Sequence, residues 1–147
     1  MAHATSILKS LNKNKGYYTL ESLLDTVSTA TDSFVIVGHH LYRPGKWINH
    51  IEEKSHLLDA IELPAKDIVQ KEKYRNLSTS LKKNFVAGSD AHTWAQIGVG
   101  YTMCSDDVFG FSMFKNAIKT NKVSISISPE AEQLVQISSA YRKHLIS

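Results

Sequence analysis

Three histidines and one aspartate stand where short apolar runs end, and these residue types hold metal ions. Phe34-Val35-Ile36-Val37 stops at Gly38-His39-His40, and Phe85-Val86-Ala87-Gly88 stops at Ser89-Asp90-Ala91-His92. On an extended segment Asp90 and His92, two residues apart, project to one side and can reach one cation. A carboxylate oxygen with an imidazole nitrogen suits Zn²⁺, Mn²⁺ or Fe²⁺ better than Mg²⁺ or Ca²⁺, which prefer oxygen shells. Gly88 permits close backbone approach, and Ser89 can add a supporting hydrogen bond. The same residues also fit an Asx-type turn, with Asp90 capping and His92 on the surface. His39 and His40 are adjacent and point to opposite sides of an extended chain, so only His39 is expected to face the site. A strand-end histidine serves equally well as a hydrogen-bonded structural residue. Arg43 either neutralises a phosphate bidentately or pairs with a carboxylate such as Glu62.

Other chemistries find little support. Cys104 has no partner that the sequence picks out, and there is no Gly-x-Ser-x-Gly elbow. Gly98-Val99-Gly100 lacks the third glycine and following helix of a dinucleotide loop, and reads as a tight turn into a strand. A net charge of +3 is too small to argue nucleic-acid binding by itself. The basic clusters Lys9/Lys13/Lys15, Lys71/Lys73/Arg75 and Lys82/Lys83 fit the solvated faces of helices. A lone cysteine excludes an internal disulfide and suits a reducing compartment, so a cytoplasmic location is expected. The amino terminus has no secretory pattern, and no apolar run approaches the roughly 20 residues of a membrane span, so no membrane partner is expected.

The elements that must position these residues follow from periodicity. Helices are expected over Thr5–Lys13 and from Thr19 to about Thr31, the second carrying Leu20, Leu23, Leu24 and Val27 on one face. Phe34–Val37 and Phe85–Gly88 read as strands buried on both faces, as in a parallel sheet. Lys46–Lys54 reads as a helix with Trp47, Ile48 and Ile51 inward. Leu57–Leu63 reads as a strand stopped by Pro64, and Ala65 to about Lys83 as one long polar helix. Gly98–Met103 is a further short strand. Val108–Thr120 is helical with Phe111, Phe114 and Ile118 inward. Val123–Ile127 alternates as an edge or half-wet strand, and Pro129 opens a last helix reaching His144. The 147 residues therefore predict one α/β domain with a mainly parallel sheet flanked by helices. In such folds strand carboxyl ends share a crevice, which brings His39, Glu62, Asp90 and His92 to one edge.

Val86-Ala87-Gly88-Ser89-Asp90-Ala91-His92, with Ile97-Gly98 and Tyr101-Thr102 behind it, resembles the closing motif of the PHP (polymerase and histidinol phosphatase) domain. Val35-Ile36-Val37-Gly38-His39 resembles the family's strand ending in a histidine ligand. Asp59–Leu63 resembles its next strand, and Phe114–Lys119 its last helix. The resemblance runs from about Tyr17 to Ile127. It implies the later strands of a distorted seven-stranded β/α barrel that binds divalent metal and hydrolyses phosphoesters. It further implies His39, Asp90 and His92 as metal ligands, with Glu62 at a common acidic position. His40 stands where the family often has proline, and the family's opening His-x-His pair is absent from this sequence.

The leading expectation is a metal-dependent phosphoesterase, whole or partial, acting on a nucleotide, a nucleic acid or a small phosphate ester. His39, Asp90 and His92 would hold one Zn, Mn or Fe ion, and His40 or Arg43 would stabilise charge on the phosphate. The alternative is a non-catalytic binding or assembly module. A half-barrel leaves an unpaired strand edge, which a partner chain or a second copy would cover. An amidohydrolase-like enzyme fits less well, because the close-set Asp90/His92 pair is foreign to that barrel.

Overall fold

The computed structural model describes residues 19–105, 107 and 110–146. The helix expected over Thr5–Lys13 lies outside these residues. The first described helix, α1 (Leu20–Ala30), begins where its cap requires. The Ser22 amide donates to the Thr19 hydroxyl at 3.1 Å, and Glu21 sits in the positive first turn.

Three parallel strands form the central sheet: β1 (Val37–Gly38), β2 (Ala60–Pro64) and β3 (Asn84–Gly88), in that spatial order. β2 lies in the middle and buries Ala60, Ile61, Leu63 and Pro64, which explains its lack of polar alternation. Pro64 is the last residue of β2 rather than a stop before it. β1 is shorter than the apolar run that predicts it, because Asp59 intervenes. Its carboxylate accepts from the Ile36 amide at 2.8 Å, and its own amide donates to the Ile36 carbonyl at 2.8 Å. This side chain takes the place of a strand neighbour.

The remaining two strands, β4 (Gly100–Cys104) and β5 (Val123–Ile127), pair antiparallel with each other. The sheet system is thus parallel in its larger part, and no closed barrel forms among the described residues. The Thr102 hydroxyl on β4 joins the two sheets. It accepts from the Ala87 amide at 3.0 Å and donates to the Ala87 carbonyl at 2.9 Å. α4 (Phe111–Lys119) connects β4 to β5, and α5 (Ala131–Ile146) follows β5.

Helices cover the sheets through three apolar clusters. Leu41, Ile51, Leu58, Ile61, Leu63, Tyr74 and Ala87 form the first, and Ala60, Val86 and Ile118 the third. Ala65, Val99, Ala131 and Val135 form the second and seat α5. No helix among the described residues is long and apolar enough to cross a membrane.

Three expected helices change. Within Lys46–Lys54 only Ile51–Lys54 (α2) is α-helical, continued by a 3-10 turn over Ser55–Leu57. The tight turn at Arg43–Lys46 and the left-handed His50 (φ 56°) delay the start. Trp47 is accordingly 43% exposed and stacks on Tyr42, whereas Ile51 is fully buried. The long helix from Ala65 divides into a 3-10 segment, Ala65–Gln70, and α3 (Lys71–Ser80). The kink lies at Asp67 (φ −104°, ψ 18°). In α4, Ile118 is buried and Phe114 packs beside it as expected, but Phe111 is half exposed.

Candidate metal centre

The parallel register brings the strand ends level. Gly38 pairs with Ile61 and Glu62 with Val86, so His39, one residue beyond β1, stands beside Glu62. His39 Nδ1 lies 2.8 Å from Glu62 Oε2, which leaves Nε2 as the coordinating nitrogen. Gly88 makes this contact possible. A Cβ there would stand 2.3 Å from Glu62 Oε1. Gly88→Ala is therefore expected to push the carboxylate off His39. Because the displaced atom ends a flexible side chain, the thermal midpoint should hardly move. Metal affinity should fall about 10–100-fold, the usual cost of losing a ligand's supporting partner. Titration of apoprotein with Zn²⁺ or Mn²⁺ measures this, and an unchanged affinity would show that Glu62 does not orient His39.

His40 joins the same site, contrary to the expectation that adjacent histidines diverge. That expectation assumed extended backbone, whereas His40 has φ 56° and is turned back toward its neighbour, the ring centroids lying 3.4 Å apart. Asp90 is also left-handed (φ 45°) and carries its carboxylate to the histidines. Histidine and aspartate tolerate this region better than most residues, at a cost of order 1–3 kcal/mol each. Ligand atoms of His39, His40 and Asp90 all lie within 4.8 Å of one another.

Arg43 ties this cluster together. The turn that donates its amide to the His40 carbonyl folds the guanidinium back over the site. Nη2 donates to Asp90 Oδ2 at 3.0 Å, Nε to Asp67 Oδ1 at 3.2 Å and Nη1 to His40 Nε2 at 3.1 Å. Its carboxylate partners are thus Asp67 and Asp90, while Glu62 belongs to His39. Asp67 is only 7% exposed and is also held by the Tyr74 hydroxyl, which donates at 2.6 Å. Both Asp67 and Lys66 escape a sequence reading that makes Ala65–Lys83 one helix. The signal available was their position just after the carboxyl end of β2.

The electrostatics follow from these contacts. Burial pushes the His40 imidazole down to about 4, assisted by the charges of His39 and Arg43 against those of Asp90 and Asp67. An imidazole neutral at physiological pH keeps a lone pair for a cation. Burial alone would raise the Asp90 carboxyl. The Arg43 hydrogen bond and the Lys66 charge outweigh it and hold Asp90 below the usual aspartate range. Burial lowers the Lys66 ammonium, with Asp90 opposing and Arg43 and Arg142 reinforcing the shift.

His92 is placed at the margin. Its Nδ1 lies 3.9 Å from Asp90 Oδ1, 2.8 Å from the Asp90 carbonyl and 2.9 Å from Lys66 Nζ. Asp90 is left-handed, so the alternation of an extended segment does not describe this pair. His92 stands outside the set whose ligand atoms converge.

The donor set fits a divalent transition metal. Two imidazoles and one carboxylate match the ligands such ions take, and three protein donors leave a position open. Because Arg43 donates to His40 Nε2, the neutral ring carries its proton on Nδ1, which is buried without a partner, and an ion would take the Nε2 lone pair in place of Arg43. Donors on one tetrahedral Zn²⁺ stand about 3.4 Å apart, so closing a cluster that spans up to 4.8 Å requires a contraction of up to about 1.4 Å.

Residues 70–123 match the family described as PHP-associated. No curated protein matches the chain. The crystal structure of PsfC from Pseudomonas syringae PB-5123 is similar at 29% identity with a TM-score of 0.78, over 94% of this chain and 57% of that one. The chain therefore spans little more than half the length of that protein. The PHP resemblance carried by Val86–His92 is borne out by the match of residues 70–123 to the PHP-associated family, in a chain whose fold is similar to that of PsfC.

Proposed function

We propose that this chain is a metal-dependent phosphoesterase, whole or as the carboxyl-terminal part of one, acting on a phosphodiester or phosphomonoester. The observation that carries the reading is the convergence of His39, His40 and Asp90 beside Glu62 and Arg43, at the carboxyl ends of parallel strands. His39, His40 and Asp90 would hold the ion, and His92 stands close enough to join from the margin. When bound, a divalent cation supplies Lewis-acid polarisation of the phosphoryl oxygen and a water of lowered pKa. Glu62 fixes the His39 tautomer. Arg43 and Lys66 put two positive charges beside Asp90, where they would neutralise the phosphate and the charge that develops on it. Arg43 is committed to three partners and serves first to position Asp90 and His40.

The test is hydrolysis of bis(p-nitrophenyl) phosphate and p-nitrophenyl phosphate by apoprotein reconstituted with Zn²⁺, Mn²⁺ or Fe²⁺. Stimulation by one of these ions and loss in chelator are expected. Equal rates with and without chelator would refute the reading. A second reading, a non-catalytic module completed by a partner chain or second copy, draws on the missing His-x-His pair and on the span of the PsfC comparison. Tight metal binding with no hydrolysis in any reconstituted form would favour it.

A further inference from the structure

A cleft of about 310 Å³ is lined by residues of the Ser89–Gln96 loop and of α5, together with Lys66, which also borders the metal cluster through Asp90. Lys66, His92, Gln96, Ser138, Arg142 and Lys143 line it, so three cations and a histidine face one small space with no carboxylate among them. Like charges converging in this way leave a strong positive field for an anion.

Two buried polar side chains in the wall of the cleft add donors to the charge. Gln96 is 1% exposed, and its Oε1 accepts from the His92 amide at 2.9 Å, which fixes the amide's orientation. Its Nε2 is therefore a donor, and it has no partner. A buried N–H left unpaired costs about 1–3 kcal/mol, which an acceptor oxygen from a ligand would recover. Ser138, also buried, accepts from the Thr93 hydroxyl at 2.8 Å and so has its own proton to donate. Fixed neutral donors at the wall and mobile cations at the mouth suit a tetrahedral oxyanion with several acceptor oxygens.

We infer that this cleft is a phosphate subsite, distinct from the metal cluster, which holds a phosphate group of the substrate that is not cleaved. The substrate would then carry two phosphate groups, one at His39, His40 and Asp90 and one between Gln96 and Arg142, with Lys66 between them. Lys66 links the two places, 3.8 Å from Asp90 Oδ2 and 2.9 Å from His92 Nδ1. The assignment of this phosphate to a substrate rests on the phosphoesterase reading; the binding of phosphate does not.

Calorimetric titration of the full chain in chelator tests both parts, with inorganic phosphate and phenyl phosphate as probes. Both are expected to bind without metal. Arg142→Ala should weaken each about tenfold or more, the loss of one charge-assisted bond. Gln96→Glu should do the same, since it keeps the acceptor for the His92 amide while placing a carboxylate where the donor stands. Circular dichroism of both variants checks that they are folded, and the exposed Arg142 provides the arm least exposed to misfolding. Phosphate bound only in the presence of metal, or bound equally by Arg142→Ala, would overturn the subsite. Inorganic phosphate bound with phenyl phosphate excluded would overturn its assignment to a substrate. Failure of the metal reading would appear separately, as apoprotein that takes up no ion.

Discussion

Asp90→Asn is expected to lose metal binding and metal-stimulated hydrolysis together while the protein stays folded. Asparagine keeps the shape of aspartate and accepts the left-handed backbone found at this position, so the substitution isolates the charge. The charge is what the site depends on, because Arg43, Lys66, His40 and His92 all lie within 4 Å of this carboxylate. Since losing a mere supporting partner costs 10–100-fold in metal affinity, losing a ligand should cost more than about a hundredfold. Metal content after dialysis and the rate on bis(p-nitrophenyl) phosphate measure the two effects. Stoichiometric ion in the variant would remove Asp90 from the coordination set and leave the histidines to be explained otherwise.

The second large effect concerns stability. Arg43→Ala leaves Asp67 and Asp90, both largely buried, without the cation that joins them. Breaking a buried pair by deleting one partner typically costs about 3–5 kcal/mol. At about 2–4 °C per kcal/mol for a protein of this size, the thermal midpoint in chelator should fall by roughly 6–20 °C. Saturating Zn²⁺ or Mn²⁺ should return part of the loss, because the ion supplies positive charge to the same Asp90. Arg43→Lys should resemble the alanine variant, since an ammonium cannot serve three partners in a planar fork. An unchanged midpoint in chelator would mean that the two carboxylates do not depend on Arg43.

Much of this framework was legible in the sequence, for reasons that particular residues make plain. Phe85–Gly88 lies within β3, and of Phe34–Val37 only Val37 enters β1 and none is fully buried, yet both runs end where parallel strands share an end. That reasoning brought His39, Glu62 and Asp90 to one edge before any coordinates. What escaped was backbone handedness. The rules for His39/His40 and for Asp90/His92 both assumed an extended chain, and both turn on a residue of positive φ. Periodicity was blind in another way at Ala65–Gln70. A 3-10 segment and an α-helix carry similar polar patterns, yet only the kinked form delivers Asp67 to Arg43 and Lys66 to Asp90. Alternation in Val123–Ile127 told which residues share a face but not the direction of the neighbouring strand, so the antiparallel β4–β5 pair was not foreseen.

The left-handed backbone at His40 and Asp90 has a consequence for how descendants of this chain should diverge. At His40 a copy that stopped using the ion would relax the conformation with glycine or asparagine, which need no donor there, whereas at Asp90 the pair with Arg43 would still favour a carboxylate. Drift would then be faster at His40 than at Asp90. Retention of histidine at position 40, against that pull, would mark copies in which selection still acts on the centre.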